Sequence, residues 1–168
     1  MPASIKHLVR IIDAFNYRIG RIAMYLLFVM MGILLWSSFS KTFLLPSLWT
    51  LEMAQFTLTA YYLLGGPYSM QMGGHVRMDL FYGSWSERTK AWVDAFTILF
   101  LMFYLAVLLY GGIESTSYSL QYGERSPTAW RPYMSPIKIV MVFGILLMLL
   151  QALSTFFKDV AKLRGEEL

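Results

Sequence analysis

The segment IAMYLLFVMMGILLWSSFS, residues 22–40, contains no charged side chain and decides the fold of the chain. A helix needs roughly 20 mostly apolar residues to cross about 30 Å of hydrocarbon. Three later segments, 53–74, 95–113 and 139–157, have a similar length and also lack charge, and charged residues bound all four. The sequence therefore predicts an all-α integral membrane protein in which residues 1–168 form one domain with four transmembrane helices.

The composition excludes an ordinary soluble domain. Of the 168 residues, 57% are hydrophobic and 14% are charged, whereas about a quarter of the residues in soluble domains are charged. The net charge of +4 suggests nucleic acid as one class of partner. However, the basic residues stand in short clusters between the apolar segments, as they do in proteins anchored in membranes. We therefore expect membrane lipids, and no nucleic acid, among the partners.

The distribution of Lys and Arg predicts the orientation of the chain. Ten of these residues lie on the side of the two termini and of the loop between the second and third helices, and four lie on the other side. The side with more basic residues is usually cytoplasmic, so both termini are predicted to be cytoplasmic. Residues 5–22 have apolar side chains at three- and four-residue spacing, with charged side chains largely opposite. This pattern predicts an N-terminal amphipathic interfacial helix, with a plain juxtamembrane anchor as the alternative.

The second predicted helix contains the break Gly65-Gly66-Pro67. Pro67 has no N–H to donate to the Leu63 carbonyl, so a kink is expected there, and the glycines would let another helix approach closely. The pattern favours helix packing over a break that lines a substrate path. At the predicted start of the fourth helix, Pro136 follows a serine, which is typical of a helix N-terminus.

The loop GGHVRMDLFYG, residues 73–83, holds one of the two histidines of the chain. His75 and Asp79 are four residues apart, with Arg77 between them, so one helical turn would place the histidine and the carboxylate on the same face. Histidine titrates near neutral pH, but no acidic residues lead from this loop into the predicted spans. The pattern therefore favours local structure or partner contact over a proton relay.

The residues that membrane enzymes and ion-coupled carriers need are missing from the predicted spans. The chain has no Cys, and His7 and His75 are both predicted to be cytoplasmic, which argues against paired haem ligands and a buried Ser–His pair. No Asp, Glu, Lys or Arg lies inside a predicted span, although such groups mark ion-coupling pathways in membranes. We expect a protein that is not an enzyme, binds no cofactor and does not couple an ion gradient alone.

The order of these features resembles the small membrane subunit, or Q component, of the TRAP (tripartite ATP-independent periplasmic) transporters of bacteria and archaea. The resemblance rests on Trp49 and Glu52 at the start of the second helix, on the glycines within that helix, and on the motif GHVRMD, residues 74–79. It covers most of the chain. The segment ERSPTAWRPYMSPIK, residues 124–138, is similar to the corresponding region of members that transport organic acids.

The resemblance implies a division of labour among three components. A periplasmic substrate-binding protein (P component) delivers a carboxylate, and a large membrane subunit (M component) carries it inward. The small subunit braces the large one in the bacterial or archaeal inner membrane. Sodium ions are expected in the large subunit and not in this chain. The following residues are candidates for partner contact or for shaping helix ends: Trp49, Glu52, Gly65, Gly66, Pro67, His75, Arg77, Asp79, Arg125, Arg131, Pro136 and Lys138.

Arg125 and Arg131, in the loop before the fourth helix, are expected to pair with an acidic surface of the binding protein, with ordinary solvated loop charge as the alternative. Two other functions stay open on the residues alone. One is a self-sufficient small transporter or channel that works as a homo-oligomer, with Gln151 and the polar residues of the second helix lining a path. The other is an assembly subunit of another membrane complex.

Overall fold

The computed structural model describes residues 3–74 and 85–163. The helices are α1 (Ala3–Phe43), α2 (Thr50–Gln71), α3 (Glu87–Tyr122) and α4 (Ser135–Leu163). Within the described ranges the only strand-like pairing is an isolated bridge between Arg125 and Tyr133. The prediction of an all-α fold is therefore confirmed.

Three of the helices in the described part of the chain are long and apolar enough to cross a membrane. They are α1 over Ile5–Phe43, α3 over Trp92–Tyr122 and α4 over Ser135–Lys162. Helix α2 is not among them, because its 22 residues include a glutamate and several Thr and Gln side chains. These three long apolar helices identify the chain as a membrane protein. The fourth span and the cytoplasmic position of both termini stay predictions.

The N-terminal segment is not a separate interfacial helix, contrary to the prediction. Residues 5–22 form the first half of α1, which continues to Phe43 and is about 60 Å long at 1.5 Å per residue. Val9, Asn16 and Ala23, spaced seven residues apart, are buried along one side of this half. This half of α1 stays on the bundle because Nδ2 of Asn16 donates to Oε1 of Gln151 on α4, and Nε2 of Gln71 on α2 donates to the Asp13 carbonyl.

The helices pack mainly as two pairs, α1 with α2 and α3 with α4, and the pairs meet where α1 and α2 contact α4. Ile98 and Leu105 of α3 form a buried apolar cluster with Ile145 and Ala152 of α4. Lipid tails are as apolar as these side chains, so their burial stabilises the bundle mainly through close packing. Helix α3 packs chiefly on α4 and leaves most of its surface uncovered.

Within the described chain, the glycines at which α2 closely approaches its neighbours lie on α1 and α4, and not at Gly65 or Gly66. Contact of these two glycines with another protein stays a prediction. A Cβ added to Gly20 would stand 2.3 Å from Cβ of Tyr68, and one added to Gly144 would stand 2.8 Å from Cβ of Leu63 and 3.1 Å from its backbone. Gly65 faces open space, and Gly66 has only an ordinary contact, 3.5 Å from the Met148 sulfur. Close approach requires the absence of a side chain on the partner helix, and the α2 sequence alone does not contain that information.

The start of α4 is close to the prediction. The helix begins at Ser135, so Pro136 lies in its first turn, where its missing N–H leaves no hydrogen bond unmade. The Ser135 hydroxyl donates to the Ser119 carbonyl of α3 at 3.4 Å instead of capping its own helix. Pro136 is exposed. Its role here is to start the helix.

Candidate functional site

The connection between α3 and α4 folds into a short hairpin, residues 124–134, which we call the α3–α4 hairpin. Gly123 ends α3 in the left-handed region with φ 59°, a conformation that suits glycine. The Ser126 N–H then donates to the Pro132 carbonyl at 2.9 Å, and the Met134 N–H donates to the Glu124 carbonyl at 3.0 Å. Because these two hydrogen bonds join the two halves of the hairpin, its backbone holds the side chains in fixed positions.

Glu124 fastens the base of the α3–α4 hairpin to both flanking helices. Its Oε2 lies 2.5 Å from Nζ of Lys138 on α4 and also accepts a hydrogen bond from the buried Ser119 hydroxyl on α3. The hydrogen bond from Lys138, and after it the one from Ser119, lowers the pKa of Glu124 below its ordinary value of 4.5. The carboxylate is therefore ionised at neutral pH, and Lys138 serves as a structural ion-pair partner.

Arg125 and Arg131 both lie on the α3–α4 hairpin, as their positions in the sequence require. The Arg125 guanidinium stacks over the Tyr133 ring, 4.2 Å from its centroid, and Nη2 donates to the Tyr133 hydroxyl. Arg131 is exposed and has φ 50°, an uncommon conformation for a residue other than glycine. The hairpin thus holds two exposed positive charges, one fixed by an aromatic ring and one at a constrained turn.

Glu52 belongs to the same end of the bundle, because the α3–α4 hairpin folds onto the start of α2. The residue is 6% exposed, and its Oε1 accepts a hydrogen bond from the Ser126 hydroxyl at 3.3 Å. Its Oε2 is buried and has no hydrogen-bond partner in the described part of the chain. Trp49, which precedes α2, is partly exposed and makes no side-chain cap. Of these two predicted residues, Glu52 contacts the α3–α4 hairpin.

A hydroxyl cluster joins α1 to α2 at this end, and the sequence analysis missed it. Thr50 is fully buried. Its Oγ1 lies 3.0 Å from the Ser37 hydroxyl and 3.2 Å from the Ser47 hydroxyl. Ser126 and Ser119 of the α3–α4 hairpin region were also missed. Small hydroxyl residues are common at helix contacts in membranes, but which ones meet depends on how the helices pack.

A polar network ties α1 to α4 at the opposite end of the bundle. The Gln151 Nε2 donates to Oδ1 of Asp13 at 3.1 Å, and its Oε1 accepts from Nδ2 of Asn16 at 2.8 Å. Asp13 also accepts from the Ser154 hydroxyl at 2.7 Å and pairs with Lys158 at 2.5 Å. The network explains why the first half of α1 stays on the bundle. Its only sequence signal is the position of Asn16 on the buried stripe with Val9 and Ala23.

The remaining predicted residues are only partly described. Pro67 is buried within α2, and Gly65 and Gly66 are partly buried beside it. His75, Arg77 and Asp79 lie outside the described residues, so their assignment to partner contact or local structure stays a prediction.

The described residues include an apolar groove and large exposed apolar faces. No group of three His, Cys, Asp or Glu within residues 3–74 and 85–163 could hold a metal ion. A groove of about 570 Å³ runs between α3 and α4, and its wall is mostly apolar, with Leu120, Ile139 and Phe143 among its lining residues. Large apolar side chains are exposed along α1 and α3, as expected for helices that face lipid or another membrane protein.

Comparison with known protein families identifies the chain. The family model described as "Tripartite ATP-independent periplasmic transporters, DctQ component" matches residues 21–162. No individual characterised protein matches the sequence significantly. The family match begins within α1, includes all of α2 and α3, and ends in the last turn of α4. Because this match covers far more than half of the chain, the protein belongs to the DctQ family, the small membrane components of the TRAP transporters.

Proposed function

We propose that this chain is the accessory membrane subunit of a sodium-coupled TRAP transporter that imports organic acids. In this role it braces a large membrane subunit and contacts a periplasmic substrate-binding protein, while the substrate and the sodium ions that drive transport bind to the large subunit. The observation that carries the proposal is the family match over residues 21–162. The proposal places the protein in a bacterial or archaeal inner membrane, with both termini and the loop after α2 in the cytoplasm.

The exposed apolar faces of α1 and α3 support contact with a large membrane partner. Helix α3 packs mainly on α4, and its free side exposes a series of aromatic rings that includes Phe96, Phe100 and Phe103. On α1, Phe28, Leu35 and Phe43 are similarly exposed. Large complementary apolar surfaces give a membrane interface its packing energy. We assign the large subunit to one of these two faces and lipid to the other.

The α3–α4 hairpin supports contact with the binding protein. In the proposed orientation it faces the periplasm, because only four of the fourteen basic residues lie on that side. Arg125 and Arg131 are exposed on this hairpin, and exposed positive charges increase the rate of encounter with an acidic partner. The ion pair between Glu124 and Lys138 would keep the hairpin, and with it these two charges, in place during repeated docking.

The polar side chains within the helices argue against a self-sufficient transporter or channel. Gln151 is fully buried and bonded to Asp13 and Asn16, so it does not face an open path. In α2, the Thr57 and Thr59 hydroxyls donate to carbonyls of their own helix, at 2.7 Å and 2.9 Å. Side chains that are already satisfied in this way are poor candidates for replacing the hydration shell of a substrate.

Affinity purification from the native membrane tests the proposal. The tagged chain is extracted in a mild detergent, and its companions are identified and quantified by mass spectrometry. We expect a large polytopic membrane protein to copurify in a near-equimolar amount. In the neighbouring reading frames we expect a gene for a secreted solute-binding protein. Recovery of the chain alone, as a stable homo-oligomer, would contradict the proposal and favour the self-sufficient transporter.

A further inference from the structure

Glu52 is a buried acidic residue whose charge has no partner in the described chain. One carboxylate oxygen accepts a single bond of 3.3 Å from Ser126, and the other is buried without any bond. An ionised carboxylate has roughly four acceptor sites, so most of its capacity is unused. Buried charges in proteins are normally paired or bound to a metal ion, because an isolated buried charge is very costly. Something beyond the described residues must therefore compensate Glu52.

The neighbouring basic side chains do not supply this compensation. Lys138 is paired with Glu124, and Arg125 is held on the Tyr133 ring. None of the ion pairs between described side chains includes Glu52. The free oxygen of Glu52 is buried within the described part of the chain, so a large basic side chain of another protein does not reach it in this arrangement.

The oxygens around Glu52 suit a hard cation. The Ser126 hydroxyl, which bonds to the carboxylate, lies 3.1 Å from the Thr128 hydroxyl, and the Ser126 backbone is fixed by its bond to Pro132. Divalent Ca²⁺ usually takes six to eight oxygens, with several carboxylates among them, whereas this site has one carboxylate. We propose that a small monovalent cation, such as Na⁺, binds Glu52 together with these hydroxyls and fastens the α3–α4 hairpin to α2. This site does not depend on which proteins the chain contacts.

Proteolysis of the hairpin tests the site. The full chain, with any membrane partner that copurifies, is placed in nanodiscs, and choline chloride is replaced stepwise by NaCl or KCl at constant ionic strength. Trypsin cleavage between the exposed Arg125 and Ser126 is followed by mass spectrometry, with cleavage after the exposed Lys162 at the opposite end as internal control. We expect a saturable decrease that is specific to the hairpin. At ten times the dissociation constant, cleavage should slow roughly tenfold, since only the ion-free form opens.

Two variants and one control decide whether Glu52 carries the effect. Glu52→Gln keeps the shape of the side chain and should abolish the dependence on Na⁺ or K⁺. Ser126→Ala should fold even if the first variant does not, and should shift the midpoint to higher cation concentration. Glu114→Gln alters a carboxylate that is exposed on α3, where it accepts a bond from Tyr110, and should leave the dependence unchanged.

Several results would overturn the proposal. Equal cleavage of the native chain in choline, Na⁺ and K⁺ would show that no monovalent cation binds, and that water or a proton compensates Glu52. Protection by Ca²⁺ alone would exclude a monovalent site. A cation effect that persists in Glu52→Gln, or that appears equally at Lys162, would place the cation elsewhere.

Discussion

The Gln151→Ala substitution should destabilise the bundle more than any similar change on its surface. Gln151 is fully buried and joins Asp13 to Asn16 through two hydrogen bonds, of 3.1 Å and 2.8 Å. Hydrogen bonds between membrane helices contribute about 0.6 kcal/mol each on average. A void of roughly 50 Å³ left by the truncated side chain adds about 1 kcal/mol. The total loss in unfolding free energy is therefore about 2–3 kcal/mol.

Thermal unfolding of the purified chain in bicelles measures this loss. For a protein of this size, each kcal/mol lowers the melting temperature by about 2–4 °C, so Gln151→Ala should melt roughly 5–10 °C below the native chain. Gln55→Ala is the matched control, because Gln55 is exposed on α2 and only its backbone carbonyl is used, by Thr59. Its melting temperature should change by less than about 2 °C, since surface substitutions usually stay within 0.5 kcal/mol.

A double-mutant cycle with Asn16→Ala separates the hydrogen bond from the void. Residues in one hydrogen-bonded network are expected to show a coupling of about 0.5–1.5 kcal/mol. Equal effects of Gln151→Ala and Gln55→Ala would refute the reasoning, because they would mean that the network does not hold α1 to α4. Strict additivity of the Asn16 and Gln151 substitutions would refute the hydrogen bond while leaving the packing contribution intact.

Three further changes test other contacts. Gly144→Ala should lower the unfolding free energy by about 1–3 kcal/mol, because the added Cβ would lie 3.1 Å from the Leu63 backbone of α2. In the same melting assay, Gly32→Ala should be neutral or stabilising, because its added Cβ would lie in open space. The lowered pKa of Glu124 means that its ion pair stabilises the hairpin at and above pH 4.5, and that this contribution fades as the pH falls below 4.5 toward the folded-state pKa. The protection of the hairpin amides from hydrogen exchange, relative to their intrinsic exchange rate at each pH, should therefore decrease in acid. Glu124→Gln should remove that acid step, and an unchanged acid step in the variant would assign it to another group. Arg131→Glu should slow association with the binding protein about tenfold at low salt, as measured by surface plasmon resonance. Arg10→Glu, at the opposite end of the bundle, should not slow it. Equal slowing by both substitutions would contradict docking at the hairpin.

The membrane class of the fold could be predicted from composition alone, but the course of α1 could not. The uncharged segments and their bounding charges predict which residues enter lipid. Whether residues 5–22 leave the bundle depends on partners for Asp13 and Asn16, and these come from Gln151 and Lys158, more than 130 positions later in the chain. Periodicity shows that one side of a helix is apolar, and it does not show what that side contacts.

The candidate site was predictable in its residues more than in its geometry. Arg125, Arg131 and Lys138 lie close in sequence, so their presence at one end of the bundle follows from the short connection between α3 and α4. The contact of Glu52 with Ser126 joins residues 74 positions apart, and no local pattern indicates it. Close packing at Gly144 could not be predicted for the same reason, because the helix that approaches it is α2.

Substrate uptake into proteoliposomes tests the accessory role most directly. Vesicles with a sodium gradient contain this chain alone, the copurifying large subunit alone, or both. The binding protein encoded in the neighbouring reading frames supplies the radiolabelled carboxylate that it carries. The accessory role predicts no uptake by the chain alone and efficient uptake only when both membrane subunits are present. Sodium-dependent uptake by vesicles that contain this chain alone would contradict it.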